Sequence, residues 1–88
     1  MSQPEVGLWV SPNPTSGKVV ARFTLNEGQG ATLSVVNLSG QSLQTQPVVG
    51  TGKVQDETLD LSQQASGLYV VRLQTAVGAK TAKVILQR

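Results

Sequence analysis

The sequence predicts an all-β domain of seven short antiparallel strands, arranged as a sandwich or a small barrel. Apolar residues recur at period two, no segment sustains a 3.6-residue period, and glycine-bearing turn clusters separate the runs at short intervals. At 88 residues the chain holds one domain and buries somewhat over roughly 60% of its unfolded surface, enough to fold with little margin.

The first candidate strand is the short run "VGLWV", in which Trp9 is expected to plug one end of the core. "PNPTSG" follows, a stiff elbow from Pro12 to Gly17. Proline fixes its own φ and biases the preceding residue toward extended backbone, so Ser11 and Asn13 are held out of the helical region. The elbow aims the next strand. It is also expected to divide residues 1–10, a linker with the first short strand, from the domain proper at 11–88, leaving Gln3–Trp9 extended and exposed.

In "KVVARFTL", Val19, Ala21, Phe23 and Leu25 share one face while Lys18, Val20, Arg22 and Thr24 share the other, the mark of a half-buried strand. "ATLSVVNL" turns Leu33 and Val35 inward. "QSLQTQP" is a weaker strand expected to end at Pro47, which has no N–H for a ladder. "KVQDETLDL" aligns Glu57, Leu59 and Leu61 against Asp56, Thr58 and Asp60. "GLYVVRLQT" aligns Tyr69, Val71 and Leu73, with Tyr69 as a core anchor. "AKTAKVILQ" sets Ala82, Val84 and Leu86 against Lys83, Ile85 and Gln87. The turn clusters are "NEGQG", "LSGQ", "VGTGK", "SQQASG" and "AVGA"; "SQQASG" has room for one helical turn.

Composition argues against an enzyme. With no histidine and no cysteine there is no imidazole base, no thiolate, no disulfide and no usual zinc set. Asp56 and Asp60 share a strand face, but residues four apart in a strand stand about 13 Å from each other, beyond glycosidase spacing. A solvated strand face is the better reading. The serines have no base to activate them, and Lys80 and Lys83 read as ordinary edge-strand charges rather than Schiff-base nucleophiles. "NEGQGA" and "VGTGKV" lack P-loop spacing and a following helix, so both read as hairpin turns. Asp60 and Asn37 could lend oxygen to calcium, but no D-x-D-x-D-G cluster exists. No cofactor or metal is expected.

The formal charge of +2 is dispersed, and three aromatics are too few for nucleic-acid recognition. No apolar run reaches the roughly 20 residues of a transmembrane helix. "MSQPEVG" lacks the regions of a signal peptide, so Met1 is expected to start an excised piece of a longer protein.

In order, "SPNPTSGKV", "ATLSVVNLSGQSL", "LDLSQQASGLYVVRLQT" and "TAKVILQR" resemble the C-terminal sorting domain carried by type IX secretion cargo in Bacteroidetes-type bacteria. The likeness runs from about Leu8 to Arg88. The family elbow falls on Pro12, Asn13, Pro14 and Gly17, and its "N-L-x-G-Q" turn on Asn37, Leu38, Gly40 and Gln41. Its "L-D-L-S…S-G-x-Y-x-x-R-L" segment falls on Leu59, Asp60, Leu61, Ser62, Ser66, Gly67, Tyr69, Arg72 and Leu73. The closing strand falls on Lys83–Leu86. Three positions depart from the usual pattern: Ser11 in place of an aromatic, Val36 in place of tyrosine and Gln64 in place of leucine.

The resemblance implies a seven-stranded immunoglobulin-like sandwich and no catalysis. It implies an address label that takes an upstream cargo domain through the periplasm and across the outer membrane to the cell surface or the medium. The implied partners are an outer-membrane translocon or shuttle protein and a sortase that cuts the label off, attaching cargo to anionic lipopolysaccharide or releasing it. On the closing strand, Lys83, Ile85, Gln87 and Arg88 are left for the translocon or shuttle, read either by strand addition or through side chains and the terminal carboxylate. Edge strands could also pair two copies as a homodimer. Two rivals share the periodicity: a fibronectin-like spacer or adhesion module, and a carbohydrate-binding accessory module resting on Trp9.

Overall fold

The computed structural model describes residues 7–88. Seven strands form in chain order: β1 (Leu8–Ser11), β2 (Lys18–Thr24), β3 (Gly30–Val36), β4 (Ser42–Val49), β5 (Val54–Asp60), β6 (Gly67–Thr75) and β7 (Gly78–Leu86). They make two antiparallel sheets, ordered β1-β2-β5 and β4-β3-β6-β7. No helix occurs among the described residues, and "SQQASG" supplies only a turn closed by Gln64 N–H donating to Leu61 O at 2.9 Å. Met1 and residues 3–6 of the expected extended segment lie outside the described residues; Leu8 and Trp9 belong to β1, the short first strand, paired with Phe23 and Arg22.

The period-two faces decide which side chains meet between the sheets. Val19, Ala21, Phe23 and Leu25 from the β2 side, Leu59 from β5 with Leu61 just beyond it, and Leu33, Val35, Tyr69, Val71, Leu73, Val84 and Leu86 from the other sheet form one buried cluster. Each fully buried aliphatic or aromatic side chain contributes about 1.5–3 kcal/mol relative to exposure, which makes this cluster the main support of a small fold.

Two expectations about connections fail. "NEGQG" joins β2 to β3 and "VGTGK" joins β4 to β5, and in each case the chain passes from one sheet to the other. They are crossings, not hairpins. They lie together and share hydrogen bonds: Gly28 N–H to Gly50 O at 2.9 Å, Gly50 N–H to Gln29 O at 2.8 Å and Gly52 N–H to Leu25 O at 3.1 Å. Local turn chemistry is the same for a hairpin and a crossing, and here each loop finds its partners in the other.

Pro47 does not end β4, which continues to Val49. β4 is the edge of its sheet, where a missing N–H can face outward without breaking the ladder.

Trp9 does not plug the core. It is 59% exposed on the outer face of the three-stranded sheet, opposite Arg22, because Leu8 and Val10 take the inward positions of β1.

Candidate recognition site: the elbow and the closing strand

β7 is an edge strand, and an uncovered edge is a row of unpaired main-chain groups. The elbow covers its C-terminal part, from Lys83 onward. The Asn13 carboxamide behaves as a piece of strand: Nδ2 donates to Lys83 O at 3.0 Å and Oδ1 accepts from Ile85 N–H at 2.9 Å. Thr15 continues the pairing through its own main chain. Its N–H donates to Ile85 O, and its carbonyl accepts from Gln87 N–H, both at 2.8 Å. Thr15 is itself 3% exposed; its Oγ1 donates to Lys18 O at 2.6 Å and accepts from Gly17 N–H at 3.1 Å. Gly17 O then accepts from Leu61 N–H at 2.7 Å, tying the elbow to the end of β5. Both prolyl bonds of the elbow, Ser11–Pro12 and Asn13–Pro14, are cis.

With its main chain engaged, this end of β7 offers only side chains. Lys83, Ile85 and Gln87 point out of the four-stranded sheet, and Ile85 is 46% exposed. Ile85 stands opposite Leu68 and Lys83 opposite Val70, with Val36 beyond Val70 in the next strand. The result is an apolar strip beside a cation. None of the four strands of this sheet contains a carboxylate, and Arg72 lies on the same outer face. The strand carboxylates are all in β5, on the other sheet.

Arg88 is placed differently from its predicted neighbours. Its Nη1 donates to Ser62 O and, at 2.6 Å, to Gln64 O, while its N–H donates to Ser66 Oγ at 3.2 Å. The guanidinium therefore fastens the chain end to the β5–β6 turn.

A family model described as the secretion system C-terminal sorting domain matches residues 10–87. The chain belongs to that family. No curated protein matches it.

As a type IX sorting domain, it carries the signal for passage across the outer membrane to the cell surface or the medium, and the family is not one of enzymes. Most of its motif residues build shape. Asn37 organises the β3–β4 hairpin: Oδ1 accepts from Ser39 N–H and Gln41 N–H, both at 3.0 Å. Gly40 supplies the positive φ of +84° that this turn needs. Leu38, by contrast, is 72% exposed. Leu59, Leu61, Tyr69 and Leu73 of the sorting domain are buried, and the Tyr69 hydroxyl donates to Ala65 O at 2.5 Å. Gly67 opens β6 opposite Leu86.

The oxygens weighed for calcium are engaged within the chain. Asp60 Oδ1 accepts from Ser62 N–H at 2.9 Å. The hydrogen bonds from Ser62, side chain first and then main chain, hold the Asp60 carboxyl below its ordinary value, and the charge of Lys18 adds to the effect. Asp56 pairs with Arg22, so the acidic face of β5 is the solvated strand face expected.

Sequence reasoning missed Thr15 and the turn carbonyls that hold Arg88. The elbow was conspicuous in composition, but nothing near it in sequence points to β7.

Proposed function

We propose that the type IX machinery reads this label as a folded face, gripping the outward side chains of the closing strand instead of adding a strand to it. The observation that carries the reading is the occupied edge. Asn13 and Thr15 hold the main chain of β7 from Lys83 to Gln87, and a strand-adding partner would have to displace both. Lys83, Ile85 and Gln87 supply the contact, with Ile85 as its apolar anchor. Arg88 contributes by fixing the chain end. The lack of carboxylates in that sheet favours a partner surface that is acidic around an apolar centre. We assign that surface to an outer-membrane translocon or shuttle protein.

In the same reading, the label is the sandwich from β1 onward, and a sortase cuts ahead of β1, leaving the upstream cargo to be attached to anionic lipopolysaccharide or released. The arrangement is of the immunoglobulin-like kind, supported by the Tyr69 bond to Ala65 O at the start of β6, the position of a tyrosine corner. We do not extend the proposal to an edge-strand homodimer, since the elbow takes the edge of β7 from Lys83 onward and Pro47 interrupts that of β4.

The test is a secreted reporter fused to residues 1–88 in a type IX-competent host. Ile85→Asp with Lys83→Glu should reduce surface delivery about tenfold or more, as loss of an interface anchor does, while the purified chain keeps its circular dichroism and melting temperature. Wild-type delivery by that variant would overturn the face reading. Increased delivery by Asn13→Ala, which frees the edge, would favour strand addition instead.

A further inference from the structure

Trp9 has no part in the elbow or the closing strand. Its geometry on the other sheet is specific. An ideal Cβ placed on Gly7 would stand 2.2 Å from Trp9 Cη2 and 2.6 Å from both Cζ2 and Cζ3. Equal distances to the two bonded neighbours, each slightly longer than the first, describe a point above the ring's face and not beyond its rim. The indole is therefore laid over the bare backbone of Gly7, while the residue as a whole remains 59% exposed.

The neighbouring groups are fixed by strand register. Trp9 is opposite Arg22, which is opposite Asp56. Arg22 Nε donates to Asp56 Oδ1 at 2.8 Å and Nη2 to Oδ2 at 3.1 Å, a two-point pair that holds both side chains in one plane. Ser11 and Val20 complete an open groove with these three. Among the described residues, Arg22 Nη1 and the remaining lone pairs of Asp56 have no partner and stand ready for hydroxyl groups.

We propose that this row is a glycan-binding subsite, with one neutral hexopyranose ring stacked on Trp9 and its hydroxyls bonded to Arg22 and Asp56. A pyranose with equatorial substituents presents an apolar C–H face that suits an exposed aromatic surface, while its rim is made of donors and acceptors. Charge selects the class of glycan. Arg22 faces Asp56 and Lys18 faces Asp60, so this sheet face carries paired charges and no surplus to attract uronates or phosphates. The row differs from the carboxylate-free sheet that the sorting proposal uses, and the two stand or fall separately.

Trp9 is the sole tryptophan, so its emission reports the subsite directly. Cellohexaose titrated into the 88-residue chain should give a saturable emission change, and a heparin-derived hexasaccharide should give none. By calorimetry, Trp9→Ala should abolish cellohexaose binding. Asp56→Ala and Gly7→Ala should each weaken it about tenfold, the first by removing hydroxyl partners and the second by lifting the ring. A Trp9→Ala passenger should still be exported. Absence of any cellohexaose response at millimolar concentration would overturn the proposal, as would tighter binding of the heparin fragment. So would an emission maximum already typical of a buried indole before sugar is added, since the preceding residues of the chain would then cover the ring.

Discussion

The two sheets are joined along two seams, and the seams are built from different materials. Along β7 the elbow of the opposite sheet presses main chain, or an amide acting as main chain, onto main chain: Asn13 to Lys83 and Ile85, and Thr15 to Ile85 and Gln87. Along β4 and β5 the work falls to glutamine side chains. Gln44 Nε2 donates to Asp60 O at 2.6 Å, Gln46 Nε2 to Glu57 Oε1 at 3.1 Å and Gln55 Nε2 to Val49 O at 3.1 Å. A long amide loses rotamer freedom whenever it is held, whereas a proline-braced loop has little freedom left to lose. The braced seam therefore adds more stability per hydrogen bond, and it lies beside the outward side chains of Lys83, Ile85 and Gln87.

The comparison breaks most visibly at the elbow. Asn13→Ala combined with Thr15→Val removes the Asn13 bonds to β7 and both bonds of the Thr15 hydroxyl, and should cost about 2–3 kcal/mol in urea unfolding. Hydrogen exchange at the Ile85 amide should accelerate well beyond that of the inner strand β3. The glutamine seam should yield less: Gln44→Ala, Gln46→Ala and Gln55→Ala together should cost about 1 kcal/mol, since these groups can exchange protein partners for water. Equal losses from the two sets would show that the material of the seam is irrelevant.

The smallest effect concerns acid, and it belongs to the three-stranded sheet. The hydrogen bond from Arg22, reinforced by its charge, holds the Asp56 carboxyl below its ordinary value, and Ser62 does the same for Asp60. A carboxylate with a lowered pKa in the folded state favours folding above the unfolded value of about 3.9, and the gain is lost as pH falls through the folded value. Melting temperature should thus be level above about pH 5 and decline below about pH 4. In Asp56→Asn with Asp60→Asn the decline should be shallower. An unchanged profile would remove both groups from the account.

Which parts of this were legible in the sequence follows from range. The alternation in β2, β6 and β7 depends on neighbours two residues away, so the inward faces, Tyr69 included, could be read directly. Trp9 was also readable by that rule: Leu8 and Val10 share one parity and Trp9 the other. Its bulk argued for burial, and parity prevailed. The crossings at "NEGQG" and "VGTGK" were not legible, because glycine permits a tight turn without stating which sheet receives the next strand. Pro47 misled because its missing N–H matters only on a paired side. The elbow's stiffness was plain, yet its partners lie 70 and 72 residues further on at Lys83 and Ile85, and no local pattern spans that distance.

The bond between Asn13 and Ile85 also sets an order of events in time. The loop leaves the ribosome ahead of β2 and waits, unmatched, for almost the entire remainder of this domain to be synthesised. A polypeptide that stops short of Ile85 cannot close it. This seam is therefore the last part of the sandwich to form, and it closes only once synthesis has passed the final strand.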